Sequence, residues 1–275
     1  MVTKRLLGSG LFLCCLTGPG FASADKGCFA AQGREDKQIH GYTLSVMPHP
    51  DQEKFQDECI GVIKGPGGNT VFSEGDHGMQ ILPISGRDIN GDGQPDAVIE
   101  GYSGGVHCCW TYWIVSLGPS PGLLAKIENE RGLGFQDLKN DGRIEMVTTD
   151  GGFDYFDDMC HACSPFPLVV LRLEGKQLHE VNAEFWSLYR RDIDEARRKL
   201  NPDALDRFRR NDRTDGNWEE TKRLVLTIVL AYFYGGRAEQ AWKTLEEMWP
   251  PSDLQRIRDL IIQKRGSGFI AEQEN

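Results

Sequence analysis

Between residues 39 and 181 the apolar positions fall in short runs cut by glycine, proline and asparagine. The runs are β-prone, and in Cys109–Leu117 large residues alternate between two faces. Side chains on an extended chain point to opposite faces in turn, so this pattern predicts strands. The runs are Ile39–Met47, Glu58–Lys64, Thr70–Ser73, Ala97–Glu100, Cys109–Leu117, Leu123–Glu128, Glu145–Thr149, Leu168–Leu173 and Gln177–Val181. Cys109–Leu117 places Trp110, Tyr112 and Ile114 on one face and Trp113, Val115 and Leu117 on the other. These aromatics are expected to be sheet core. Gly65-Pro66-Gly67-Gly68-Asn69 and Gly118-Pro119-Ser120-Pro121-Gly122 supply turns between runs.

From residue 184 the period becomes helical. Phe185–Leu200 is amphipathic and stops at Asn201-Pro202, a pair that ends one helix and starts the next. Trp218–Tyr234 predicts a helix closed by Gly235-Gly236. Arg237–Trp249 follows and Pro250-Pro251 stops it. Ser252 is the expected cap of a last helix over Asp253–Lys264. The hairpin at 218–249 resembles one tetratricopeptide-like unit, which needs a neighbour to cover its apolar face. The expected fold class is therefore α+β: a β-rich domain at 25–182, a helical domain at 183–265 and a loose tail at 266–275.

Composition changes with the same boundary. The chain has 275 residues, 32 glycines and a formal net charge of −10. Residues 25–180 hold 23 glycines, 12 Lys/Arg and 24 Asp/Glu, whereas residues 181–275 hold 5 glycines and 17 of each charge. An acidic first part excludes a basic nucleic-acid surface. No segment after the leader is long and apolar enough to span a bilayer, and the eleven residues of Leu224–Tyr234 suit a core helix.

The N-terminus has the three parts of a secretory signal: Lys4 and Arg5, the apolar Leu6–Leu16, and the small-residue site Ala22-Ser23-Ala24. Residues 1–24 are thus expected to be removed, leaving a periplasmic or secreted chain. Six cysteines then remain: Cys28, Cys59, Cys108, Cys109, Cys160 and Cys163. In an oxidising compartment these predict disulfides. The preferred set is Cys28–Cys59, with further bridges between or within the Cys108/Cys109 and Cys160/Cys163 clusters. The competing arrangement is a zinc site built from those four thiols with His107 and His161.

The most specific motif is Asp88-Ile89-Asn90-Gly91-Asp92-Gly93-Gln94-Pro95-Asp96. Oxygen side chains stand at positions 1, 3, 5 and 9, with a glycine at position 6. Ca²⁺ takes about six to eight oxygens from such a flexible loop. Asp88, Asn90, Asp92 and Asp96 are the candidate side-chain ligands, and Gln94 would add its backbone carbonyl. The acid that an EF-hand needs at position 12 is replaced by Ile99, and a strand follows in place of a helix. Forty-nine residues on, Asp137, Asp141, Gly142 and Glu145 repeat Asp88, Asp92, Gly93 and Asp96, with Arg143 offering the carbonyl. Lys139 stands at the Asn90 position and cannot ligate a cation. The second loop is therefore expected to bind weakly or not at all, and the Lys139 ammonium is a candidate to take the place of the ion.

Each loop is followed by a strand, a Gly-Gly pair (Gly104-Gly105, Gly151-Gly152), a cysteine and aromatic region and two more strands. This repeat, with its loop before an apolar strand, resembles the FG-GAP/VCBS repeat families over about 88–181. The stretch Tyr102-Ser103-Gly104-Gly105-Val106-His107-Cys108-Cys109 is similar to one found in some exported bacterial proteins with such loops. The resemblance implies blade-like units carrying Ca²⁺. Two loops are too few for a closed propeller, so a partial propeller or a compact sandwich is expected.

These readings together predict an exported, non-catalytic, calcium-stabilised binding or structural protein whose ligand is an unidentified protein or glycan. The alternative is an exported hydrolase. Its candidate groups are the acids Asp150, Asp154, Asp157 and Asp158, the Gly101-Tyr102-Ser103-Gly104-Gly105 match to a nucleophile elbow, and the His107/Cys108 and Cys160/His161 pairs.

Overall fold

The computed structural model describes residues 27–51, 58–105, 109–214 and 216–266. The expected leader at 1–24 and all but the first residue of the expected tail lie outside the described residues.

Thirteen strands form three antiparallel sheets among the described residues. The first sheet is a meander of β2 (Glu35–Ile39), β3 (Tyr42–Pro48), β4 (Cys59–Lys64) and β5 (Thr70–Asp76). The second runs β6 (Gly78–Ile81), β7 (Asp96–Tyr102), β8 (Trp110–Ser116) and β9 (Gly122–Asn129), with the short β1 (Cys28–Phe29) added beside β6. The third runs β10 (Gly134–Gln136), β11 (Glu145–Thr149), β12 (Leu168–Glu174) and β13 (Gln177–Glu180). Five α-helices follow among the described residues: α1 (Trp186–Lys199), α2 (Pro202–Arg209), α3 (Trp218–Tyr234), α4 (Ala238–Met248) and α5 (Leu254–Gly266). The architecture is α+β, and the sheets do not close into a barrel or propeller.

The second sheet lies between the other two. Ala97, Ile99, Trp113 and Val115 on one face share a buried cluster with Leu44, Val46, Ile63 and Phe72 of the first sheet. Val98, Tyr112, Ile114 and Ile127 on the other face share a cluster with Met146, Val169 and Leu171 of the third. Both faces of the second sheet are therefore buried. The second cluster continues into the helices through Tyr189, Leu226, Leu230 and Leu245, so the third sheet, one face of the second and the helices share one core.

The expected strand Ile39–Met47 is in fact a hairpin. His40 (φ 50°) and Gly41 (φ 84°) make a two-residue turn that pairs Ile39 with Tyr42. Positive φ at both turn residues matches the right-handed strand twist, so the tight turn wins over a longer strand. The partner strand β2 (Glu35-Asp36-Lys37-Gln38-Ile39) is mostly charged and half exposed, which hid it from an apolar reading. The helix termini follow local chemistry more closely. Asn201 Oδ1 accepts from the Asp203 and Ala204 N–H groups, with Pro202 at the first helical position. Ser252, the expected cap of the last helix, instead lies inside a 3-10 turn (Pro251–Asp253) that leads into α5.

Covalent and polar links tie the layers. Cys28–Cys59 joins β1 of the second sheet to β4 of the first, with both residues buried. The Tyr234 hydroxyl of α3 donates to Asp150 Oδ2 at 2.5 Å, inside the core after β11. Lys222 of α3 pairs with Asp157 at 2.9 Å.

Candidate metal centre

The first loop connects β6 to β7 and turns on its own carboxylates. Asp88 Oδ1 accepts from the Gly91 and Asp92 N–H groups at 2.7 and 3.2 Å, and Oδ2 from Gly93 N–H at 2.8 Å. Asp92 Oδ1 accepts from Gln94 N–H at 2.8 Å. Gly93 has φ 80°, the left-handed conformation that lets the chain double back. Asn90 reaches outwards as well: its side-chain amide donates to Gly175 O, and Gly175 N–H donates to Asn90 O, both at 3.1 Å. The loop is thereby pinned to the β12–β13 turn.

Asp96, at position 9, is fully buried at the start of β7. Its Oδ2 accepts from Ile89 N–H at 2.8 Å, and its Oδ1 has no hydrogen-bond partner. Burial is the main cause that raises its pKa to about 7; the backbone N–H groups of Ile89 and Asn90 oppose the rise, and repulsion from Asp92 and Asp88 adds to it. Asp92 and Asp88 lie near enough to repel Asp96, and one of its two oxygens is unpartnered.

The second loop repeats four of these bonds at matching positions. Asp137 accepts from Asp141 and Gly142 N–H at 3.0 and 2.9 Å, Asp141 from Arg143 N–H at 3.0 Å, and Glu145 Oε2 from Leu138 N–H at 3.1 Å. The difference lies at the remaining oxygen of position 9. Glu145 Oε1 accepts from Arg172 Nη2 at 2.9 Å and Nε at 3.3 Å. Arg172 is the cross-strand partner of Glu145, whereas the cross-strand partner of Asp96 is Ser116. Lys139 does not take the place of an ion: its ammonium binds Glu184 at 2.6 Å and lies over the Phe185 ring. Arg172 also reaches Glu184, with bonds of 3.1 and 3.0 Å. That guanidinium and Lys139 hold the Glu184 carboxyl well below its usual range, at about 2.

The two loops face a common cleft of about 610 Å³, lined by Asp88, Asn90, Asp141, Arg143, Arg172 and Gly175. Among the described residues no three imidazole, thiol or carboxylate groups form a ready-made metal cluster. A cation at the first loop would draw on the Asn90 amide and the Gln94 carbonyl besides its carboxylates. Those of Asp88 and Asp92 retain acceptor capacity, since a carboxylate offers about four acceptor sites. Arg172, Ser116 and Gly175 were missed in the linear reading because they lie far along the chain from the loops. The one local signal is an arginine in the otherwise apolar run Leu168-Val169-Val170-Leu171-Arg172-Leu173.

The alternative chemistries fare differently. Cys160 and Cys163 form a disulfide and Cys109 is also disulfide-bonded, so three of the four thiols of the zinc arrangement are not thiolates. The same bridge removes Cys160 as a nucleophile for His161. His107 and Cys108 lie outside the described residues. Ser103 is not on a nucleophile elbow. Its Oγ accepts from Cys109 N–H at 2.9 Å, and β8 follows where a helix is needed. Gly101 serves close packing: a Cβ there would come within 2.5 Å of Asp76 Oδ2 and 2.7 Å of the Trp113 ring. Of the four acids after β11, Asp150 binds Tyr234, Asp154 binds His161 Nδ1 at 2.8 Å, and Asp157 binds Lys222 and Arg256. Asp158 is exposed.

No family model matches the chain. No solved structure matches it. Among curated proteins it is similar to the uncharacterised protein y4bJ of Sinorhizobium fredii, 28% identical over 165 residues, which cover 58% of this chain and 24% of that one. The chain thus spans about a quarter of that relative's length.

Proposed function

We propose that this chain is an exported, non-catalytic binding or structural protein, stabilised by one Ca²⁺ held in the loop Asp88–Asp96. The observation that carries this reading is Asp96: a fully buried carboxylate with one oxygen unpartnered, beside two further carboxylates. Leaving such a group unmatched is costly, and a divalent cation supplies both the missing charge and the missing partner. Asp88, Asn90, Asp92, Asp96 and the Gln94 carbonyl would hold the ion. Its role would be to fix the chain entering β7, the strand at the middle of the three-sheet stack. The loop pattern and the repeated meanders favour kinship with the FG-GAP/VCBS repeats. Export is supported by the disulfides. The ligand would be a protein or a glycan, for which the cleft between the loops is the place to look.

Ion binding to the folded state alone raises stability by about 2.7 kcal/mol at a hundredfold excess over Kd. Calcium should therefore raise the melting temperature of the mature protein by roughly 5–10 °C over its value in EGTA. Asp96→Asn keeps the Ile89 contact and removes the charge. It should melt at or above wild type in EGTA and not respond to Ca²⁺. Identical wild-type melting in EGTA and in millimolar Ca²⁺ would end this reading.

A further inference from the structure

The two loops solve one electrostatic problem in two ways. In each, one oxygen of the position-9 acid takes the N–H of the residue after the loop's first aspartate (Ile89 or Leu138). The two loops differ at the other oxygen. At Asp96 that oxygen is orphaned and the strand opposite presents Ser116. At Glu145 it receives the guanidinium of Arg172, presented from the same register position of the next strand. Both Glu145 and Arg172 are buried, so the pair is a fixed part of the core.

We infer that Arg172 is a built-in replacement for the metal ion of the second loop, so the residue facing position 9 across the sheet decides which loop takes calcium. The inference rests on the calcium reading of the first loop and extends it to a stoichiometry of one ion per chain, with a latent second site. An arginine is a permanent cation with directional donors suited to a carboxylate. It holds the second loop closed at any calcium concentration. It also uses its remaining donors on Glu184, joining that loop to the start of the helical region. The first loop is left as the calcium-dependent one.

The experiment is a calorimetric Ca²⁺ titration of the mature chain and three variants, with melting in EGTA and in millimolar Ca²⁺. Arg172→Ser copies the situation at Ser116. Lys139→Asn restores the position-3 oxygen while leaving the guanidinium in place. The double variant K139N/R172S does both. Wild type and K139N should bind one ion, and K139N/R172S two, its folding more dependent on calcium than that of wild type. A second ion in K139N would assign the block to Lys139 and overturn the inference. So would one ion in the double variant, or its failure to fold in millimolar Ca²⁺, because the ion should then replace the guanidinium. If wild type binds none and the double variant binds one, the first-loop reading falls and the role of Arg172 stands. If neither binds, both fall.

Discussion

Glu100 shows what burial does to an acid without a cation nearby. It is 1% exposed in β7, and its Oε1 accepts from the Gln80 side chain. Burial is the main cause that raises its pKa, against hydrogen bonds from Gln80 and Tyr112 that lower it. In the unfolded chain the group ionises at its ordinary value, while the folded state holds its proton to higher pH. Stability is therefore unaffected below the ordinary value and is lost as pH rises from there towards the folded value. Glu100→Gln should match wild type in denaturant midpoint at pH 4 and exceed it at pH 8. An equal difference at both pH values would show that the acid does not titrate in this window. Asp96 and Glu145 belong beside it: three buried acids, of which one has a guanidinium, one a hydrogen-bonding amide neighbour, and one an unfilled place for a cation.

At the scale of elements, the loop-strand unit is the part most legible in the linear chain. Its turn geometry is local: an aspartate accepting amides three to five residues ahead and a glycine in the left-handed region are visible as spacing alone. Gly93→Ala should cost about 1–2 kcal/mol of stability in EGTA, from the strain of a Cβ at φ 80°. It should also weaken calcium binding in the titration. Gly142→Ala, with φ 92°, should cost a similar amount of stability and leave calcium binding unchanged. Helices were legible for the same reason. The bounds of α3, Trp218–Tyr234, coincide with those expected from its apolar run and closing glycines. Strands β1, β2, β6 and β10 were not foreseen. They are short or charged, and edge or near-edge strands owe their extended form to a neighbour's hydrogen bonds rather than to their own side chains.

At the scale of the whole molecule, three meanders are stacked and linked to a helical layer by few devices. Cys28–Cys59 closes a separation of 31 residues and bridges two sheets. A loop of that size constrains the unfolded chain by about 3–4 kcal/mol. The double variant C28A/C59A should lose roughly that much in denaturant unfolding, and calcium should still raise its melting temperature. Loss of the calcium response would mean that the disulfide, not the ion, organises the approach to β7.

The composition, the alternating runs and the helical period were sufficient for the class: sheets first, helices after, with oxygen-rich loops before two strands. Those features depend on residues near one another in the chain, where spacing is geometry. What only the tertiary structure decided is which side chains meet across a sheet. Asp88–Asp96 and Asp137–Glu145 share acids at positions 1, 5 and 9 and a glycine at position 6, and the difference that bears on a cation, Lys139, turned out to face Glu184. The decisive partners, Ser116 and Arg172, lie 20 and 27 residues beyond their acids and are brought opposite them by antiparallel register. Electrostatic matching acts over a few ångströms of space, whatever the distance along the chain.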